Sequence, residues 1–257
     1  MSQQNKDWQS ISLAEKIPEN ILRHNPSLVD QYIRRMSQGL KLEWKSSISN
    51  NGWLSIHVRG EDAEAFQSLL LKKFGEASID LSKIEKWDLA RGFITGLGRV
   101  GYGVYVDIGI QQPRPKDALY PLHRMRAQLS DGALESVKQI STMNALVDYF
   151  PVKVLVTEVD GDRVSVELAD ETHEQLMNLR KYPFDRLIAV GLTKTQAENT
   201  VRQMKVSSDV VEVRELSLFV QELVFKIGTE APGMIAKMGN RLRGVNLAAY
   251  RAWKTLE

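Results

Sequence analysis

The chain contains no cysteine, which excludes disulfides, thiolate catalysis, cysteine-ligated zinc and iron–sulfur clusters together. Histidine is scarce as well. His24, His57, His123 and His173 are the only four, far apart and without an i, i+4 pair, so neither a metal site nor any cofactor is expected. No apolar run approaches the roughly 18 to 20 residues that cross a bilayer, and the opening Met1-Ser-Gln-Gln-Asn-Lys-Asp lacks the apolar h-region of a signal peptide. A cytoplasmic protein with no membrane contact is the expectation. Charge of one sign is also missing: a net charge of +2 lacks the strongly basic signature of a dedicated nucleic-acid binder. Finally, no nucleophile with a matched base and no lysine-bearing phosphate loop is recognisable, so the expected protein is not an enzyme.

What is present is ordinary globular material. At 257 residues, with 43% hydrophobic and 26% charged residues, the chain has length for two or three modest domains. The distribution of charge says more than its sum. Between Lys226 and Lys254 the basic residues Lys226, Lys237, Arg241, Arg243, Arg251 and Lys254 face a single acid, Glu230, while the middle third is slightly acidic. A polyanion is therefore expected to lean on the C-terminal end. There Arg241-Leu-Arg243-Gly244 suits phosphate contacts, which position a nucleic acid without reading its sequence; a solvated charged face is the plain alternative.

The stretch from Arg91 to Gly109 joins two strand patterns through closely spaced glycines. It includes Gly96-x-Gly98-x-x-Gly101, the spacing of a dinucleotide fingerprint, but that chemistry needs a helix directly after the glycines to face a pyrophosphate. Tyr102-Gly-Val-Tyr-Val-Asp-Ile follows instead, alternating on a strand period. The glycines are read as a sharp bend in a coiled barrel sheet.

Around this stretch the periodicities divide the chain in three. Residues 1–86 read as β-α-β-β-α-β: weak strands near Ile11 and Ile79, helices over 27–36 and 61–74, and a hairpin turning at Asn50-Asn51-Gly52. Residues 87–170 are dominated by strands at 92–95, 103–108, 118–122, 152–159 and 163–168, with a helix around 133–143 between the third and fourth. Five strands with a helix there match an OB barrel. Residues 171–257 again read as β-α-β-β-α-β, with a capping box at Thr193-x-x-Gln196 and small residues at Gly228-Thr-Glu-Ala-Pro-Gly233 before the last helix. The predicted fold is α+β: a central five-stranded OB-type β-barrel flanked by two ferredoxin-like (βαββαβ) domains. Asp107, Asp117, Asp160 and Asp162 invite a carboxylate metal cluster, but two of them occupy a hairpin turn that favours aspartate locally.

Gly101-Tyr-Gly-Val-Tyr-Val-Asp-Ile-Gly, Asp117-Ala-Leu-Tyr-Pro-Leu, and Pro151-Val-Lys-Val-Leu-Val-Thr-Glu-Val-Asp with Arg163-Val-Ser-Val-Glu-Leu together resemble the S-one-type RNA-binding OB domain over residues 90–170. A wider resemblance is carried by Val58-Arg-Gly-Glu-Asp, Val100-Gly-Tyr-Gly-Val-Tyr-Val-Asp-Ile-Gly, Lys116-Asp-Ala, Pro121-Leu-His, Arg186-Leu-Ile-Ala-Val-Gly and Gly228-Thr-Glu-Ala-Pro-Gly. It is to an archaeal family known as a domain of unknown function, and implies an archaeal cytosolic protein with no assigned activity. The S-one-type resemblance implies base stacking on Tyr102 and Tyr105 and a cation at Arg163. Its third-strand histidine position holds Pro121, with Tyr120 and His123 beside it, and a frequent late lysine is replaced by Ala169.

The expected function is non-enzymatic binding of single-stranded or structured RNA, in translation or RNA processing. Tyr102, Tyr105, Tyr120, His123 and Arg163 would form the barrel site, with Arg241 and Arg243 meeting phosphates. Two other readings stand beside it. One is an adaptor docking on a larger protein assembly such as the ribosome or RNA-processing machinery. The other is a small-molecule sensor built on the C-terminal domain.

Overall fold

A computed structural model describes residues 7–252, so Lys254 of the C-terminal basic stretch lies outside the described residues. The N-terminal part runs β1 (Gln9–Lys16), α1 (Glu19–His24), α2 (Ser27–Met36), β2 (Leu42–Ile48), β3 (Trp53–Gly60) and α3 (Ala63–Phe74). Its strands form an antiparallel sheet in the order β1-β3-β2, packed on α2 and α3 through Val29, Ile33, Phe66 and Leu70. The strand expected near Ile79 does not form. Glu76 makes one bridge to Leu13, after which the backbone turns to the barrel: the Ile79 carbonyl accepts from the N–H groups of Gln111 and Gln112 at 2.9 and 3.0 Å, and Leu81 N–H donates to the Gln112 carbonyl at 3.1 Å. A peptide group committed there is lost to a fourth ladder.

β4 (Leu89–Thr95), β5 (Gly103–Ile110), β6 (Lys116–Pro121), β7 (Pro151–Asp160) and β8 (Arg163–Leu168) close into a barrel in the order β4-β5-β6-β8-β7. Every neighbouring pair is antiparallel except β6 with β8. Period-two alternation sends Val104, Val106, Ile108, Ala118, Tyr120, Val154, Val156, Val164 and Val166 inward. No helix follows Gly101; β5 does, and Gly96 and Gly98 take φ of 61° and 82° in the turn before it. The expected helix around 133–143 is shorter, α5 (Val137–Met143), opened by a capping box between Ser136 and Gln139. It is preceded by an unanticipated α4 (Leu122–Leu129), and β8 leads into a further unanticipated helix, α6 (Asp170–Arg180). Asp170 and Glu171 in its first turn suit the positive helix terminus, and Leu176 packs into the barrel core.

The C-terminal part runs β9 (Arg186–Val190), α7 (Lys194–Gln203), β10 (Val210–Ser217), β11 (Val220–Phe225), α8 (Ala231–Met238) and β12 (Asn246–Tyr250), with an antiparallel sheet in the order β10-β11-β9-β12. β9 and β11 are buried at every position. Leu187, Ala189, Leu223 and Phe225 pack with α7 and α8, while Ile188, Val190 and Val220 join the barrel core. Burial on both faces explains the unalternating Leu187-Ile-Ala-Val190 run of β9, while the buried Gln221 and Glu222 of β11 are held by a hydrogen bond to the Leu192 carbonyl and by Arg186 and Arg214. At the turn between β10 and β11, Leu218 and Phe219 insert into the N-terminal core, so all three sheets share buried surface.

Candidate nucleic-acid interface

Alternation on β5, β6 and β8 leaves Tyr105, Asp117, Leu119, Arg163 and Ser165 pointing away from the barrel core. Tyr105 pairs with Leu119, and Leu119 with Ser165, giving one row across three strands. The N-terminal sheet covers the end of this face nearest Asp107. There the buried Asp107 carboxylate accepts from Lys16 Nζ at 2.5 Å, Trp53 Nε1 at 3.0 Å and the Gly109 N–H at 3.0 Å, while the Trp53 and Phe93 rings meet edge-on at 5.7 Å. Asp107 is thereby committed to the contact between the N-terminal sheet and the barrel. Among the described residues no three His, Cys, Asp or Glu side chains are grouped to hold a metal ion.

Tyr102 and Tyr105 are three residues apart, which on a regular strand places them on opposite faces. Tyr102, however, lies in the bend just before β5, and its hydroxyl meets that of Tyr105 at 2.8 Å. Tyr102 is 56% exposed. The phenol of Tyr105 is held above its usual range, first by this hydrogen bond and then by desolvation. Asp117 is also pushed up, first by desolvation and then by the Asp107 charge, with Lys16 and Arg99 pulling the other way. Arg99 is therefore within electrostatic reach of this face, exposed on the glycine turn. Sequence reasoning missed it, because a turn arginine carries no strand period to place it. Arg163 is exposed at the start of β8, paired in register with Asp160.

Tyr120 does not belong to this face. It is 1% exposed, its hydroxyl donates to Gln128 Oε1 at 2.8 Å, and burial raises its phenol far above the usual range. The signal was present in the sequence, since alternation puts Tyr120 on the same side of β6 as Ala118. His123 is exposed on α4. With Lys86, Arg124, Glu158 and Ser165 it lines a cleft of ≈ 420 Å³, which Ser165 makes contiguous with the tyrosine face.

Arg241 and Arg243 lie elsewhere. Both are exposed in the turns after α8 and line a cleft of ≈ 440 Å³ between α1 and α7, to which no barrel strand contributes. The start of α8, where the glycine-rich loop could offer N–H groups to an anion, is occupied by the chain's own buried Asp185. That carboxylate accepts from Ala231 N–H and Ala252 N–H, both at 2.9 Å. A cleft of ≈ 810 Å³ opens between the barrel, α6 and the C-terminal sheet, lined by Arg91, Arg186, Arg214, Glu212, Glu215 and Glu222 among others.

Residues 84–180 match the DUF2110 central domain and residues 184–249 the DUF2110 C-terminal domain, together more than half of the chain. The first match takes in α6 as well as the barrel. No curated protein matches the chain. The chain belongs to the DUF2110 family, a domain of unknown function.

Proposed function

We propose that this protein is a non-enzymatic, cytosolic RNA-binding protein that holds single-stranded RNA on the outer face of its barrel. The barrel is read as an OB barrel in which β5 and β6 are the second and third strands, the face that scaffold offers to oligonucleotides. The flanking parts are read as ferredoxin-like units, complete at the C-terminus and with the fourth strand reduced to the Glu76 bridge at the N-terminus. The observation that carries the proposal is the exposed Tyr102 ring, hydroxyl-linked to Tyr105, with Arg99 exposed on the preceding turn and Arg163 exposed at the start of β8 on the outer side of the barrel. Aromatic rings stack on bases of any sequence, each contact worth about 1–3 kcal/mol, and the two guanidiniums supply phosphate partners.

Fluorescence anisotropy with short RNAs at several salt concentrations tests this. Tyr102→Ala with Tyr105→Ala should weaken binding at least about tenfold while leaving the salt slope nearly unchanged. Arg163→Ala should flatten that slope by roughly 0.7, the value of one single-strand phosphate contact. A double tyrosine variant that remains folded and binds like wild type would transfer the protein to the adaptor reading, as would wild type that fails to bind at low salt.

A further inference from the structure

The cleft between α1 and α7 has an unusual lining. Arg241, Arg243 and His24 contribute basic side chains, and no aspartate or glutamate lines it. Among the described residues no carboxylate pairs with either arginine. The remaining polar lining consists of neutral amides and a hydroxyl: Gln196, Asn199, Thr200 and Gln203 on α7, facing Asn20 and Asn25. The α7 residues fall at i, i+3, i+4 and i+7, a single helix face.

Local geometry fixes these groups. Asn20 Nδ2 donates to the Gly244 carbonyl at 2.7 Å and to the Gly191 carbonyl at 3.4 Å, tying α1 to both the arginine turn and the start of the α7 segment. Gly191 has φ of 104°, and a Cβ there would overlap the Asn20 amide. Within α7, Gln196 Oε1 is taken by the Thr193 capping box and Asn199 Oδ1 by Arg202. Among the described residues their amide N–H groups, and both polar atoms of Gln203, have no partner and remain for a ligand.

We propose that this cleft is a second binding site that takes a phosphate-bearing nucleotide. The phosphate lies against Arg241 and Arg243, whose planar guanidiniums match its oxygens bidentately. The base edge lies against the amides of α7, which can donate to ring nitrogens and carbonyls. A cleft of ≈ 440 Å³ is within the range of about 300–1,000 Å³ typical of small-ligand sites. The ligand is either a free mononucleotide or the phosphorylated end of an RNA; the phosphate and base chemistry is the same for both. The site is separate from the tyrosine face and does not rest on the barrel reading.

Isothermal titration of the full chain with the four nucleoside monophosphates, ribose 5-phosphate, adenosine and inorganic phosphate tests the site. At least one nucleoside monophosphate should bind about tenfold or more tightly than any of the three fragments. Arg241→Ala with Arg243→Ala should abolish that binding, and circular dichroism should show those variants folded because both side chains are exposed. Gln196→Leu replaces an amide that also caps α7, so Gln203→Ala serves as the second amide variant; it should weaken the nucleotide and leave inorganic phosphate unaffected. Tyr102→Ala with Tyr105→Ala should leave mononucleotide binding unchanged, which keeps this site distinguishable from the barrel. Competition with 5′-phosphorylated and 5′-hydroxyl hexauridylate then identifies the source: displacement by the phosphorylated oligomer alone assigns an RNA end, and displacement by neither assigns a free nucleotide. Absence of binding by all four nucleotides, survival of binding in the double arginine variant, or ribose 5-phosphate binding as tightly as the nucleotides would overturn the proposal.

Discussion

Arginines line both the ≈ 810 Å³ cleft beneath the C-terminal sheet and the ≈ 440 Å³ cleft between α1 and α7, but they meet different surroundings. In the larger cleft Arg186 and Arg214 share Glu222, at 3.2 and 2.9 Å, Arg214 also holds Glu212 at 2.6 Å, and Lys73 holds Glu215 at 3.4 Å. Arg91 donates to the Phe74 and Leu216 carbonyls at 3.2 and 3.3 Å and faces the fully buried Glu15 at 3.7 Å. Lys73 and Arg91 join the three parts of the chain, while Arg186 and Arg214 are paired within the C-terminal sheet, so the charges of the larger cleft are committed to structure. In the smaller cleft the arginines face amides. Volume alone would select the first as a binding site; charge compensation selects the second, because a guanidinium already paired must be stripped of its partner before it can bind an anion.

The comparison breaks most visibly if the paired charges of the larger cleft are dispensable. Glu222→Gln leaves the buried Arg186 guanidinium without its counter-charge, and loss of one member of a buried pair costs about 3–5 kcal/mol. Urea unfolding of this variant should show that loss; a change under about 1 kcal/mol would mean that the paired charges lining the larger cleft are not structurally committed.

Next in size is the response of Glu15, which faces Arg91, to pH. Burial pushes the Glu15 carboxyl up to about 7, against the favourable charge of Arg91 and the N–H that Leu218 donates at 2.9 Å. Between the ordinary carboxyl value of 4.5 and about 7 the folded chain therefore holds a proton that the unfolded chain has released. Stability from this group is fully present below 4.5 and is lost as pH rises through about 7. At about 1.4 kcal/mol per pH unit the range is roughly 3 kcal/mol. The stability difference between wild type and Glu15→Gln, measured at pH 4.5 and pH 8, should move by that order in favour of Gln at the higher pH; a constant difference would remove Glu15 as the titrating group.

The smallest effect sharpens the other side. Arg241→Ala and Arg243→Ala should each change unfolding free energy by no more than about 0.5 kcal/mol, as surface substitutions outside any network do. A substantial loss of stability would show that these arginines, too, are structural.

Much of the chain's architecture was legible before folding. Alternation on β5 and β8, the Asp160-Gly161-Asp162 turn, the Thr193–Gln196 capping box and the absence of a helix after Gly101 are local properties, set by residues a few positions apart, and the structure carries each of them. The missed elements were short, decided at a distance or, like the 11-residue α6 with only Thr172 and Leu176 buried, without a full apolar stripe to mark a helical period. α1 and α4 span 6 and 8 residues, too few for a period to stand out. The fourth N-terminal strand was lost because residues 79–81 found hydrogen-bond partners at 111–112, a choice invisible to propensity.

The candidate sites divide along the same line. The sequence by itself determined which residues could stack, pair with phosphate or serve the core, and its alternation already consigned Tyr120 to the barrel interior. Only the tertiary structure decided that Tyr102 would swing round to meet Tyr105, that Asp107 would be sealed under Lys16 and Trp53, and that Arg241 and Arg243 would face α1 and α7 rather than the barrel. The physical reason is one of range: side-chain direction and turn chemistry are fixed within a few bonds, whereas the partner that neutralises or exposes a charge is brought from a distant part of the chain by packing.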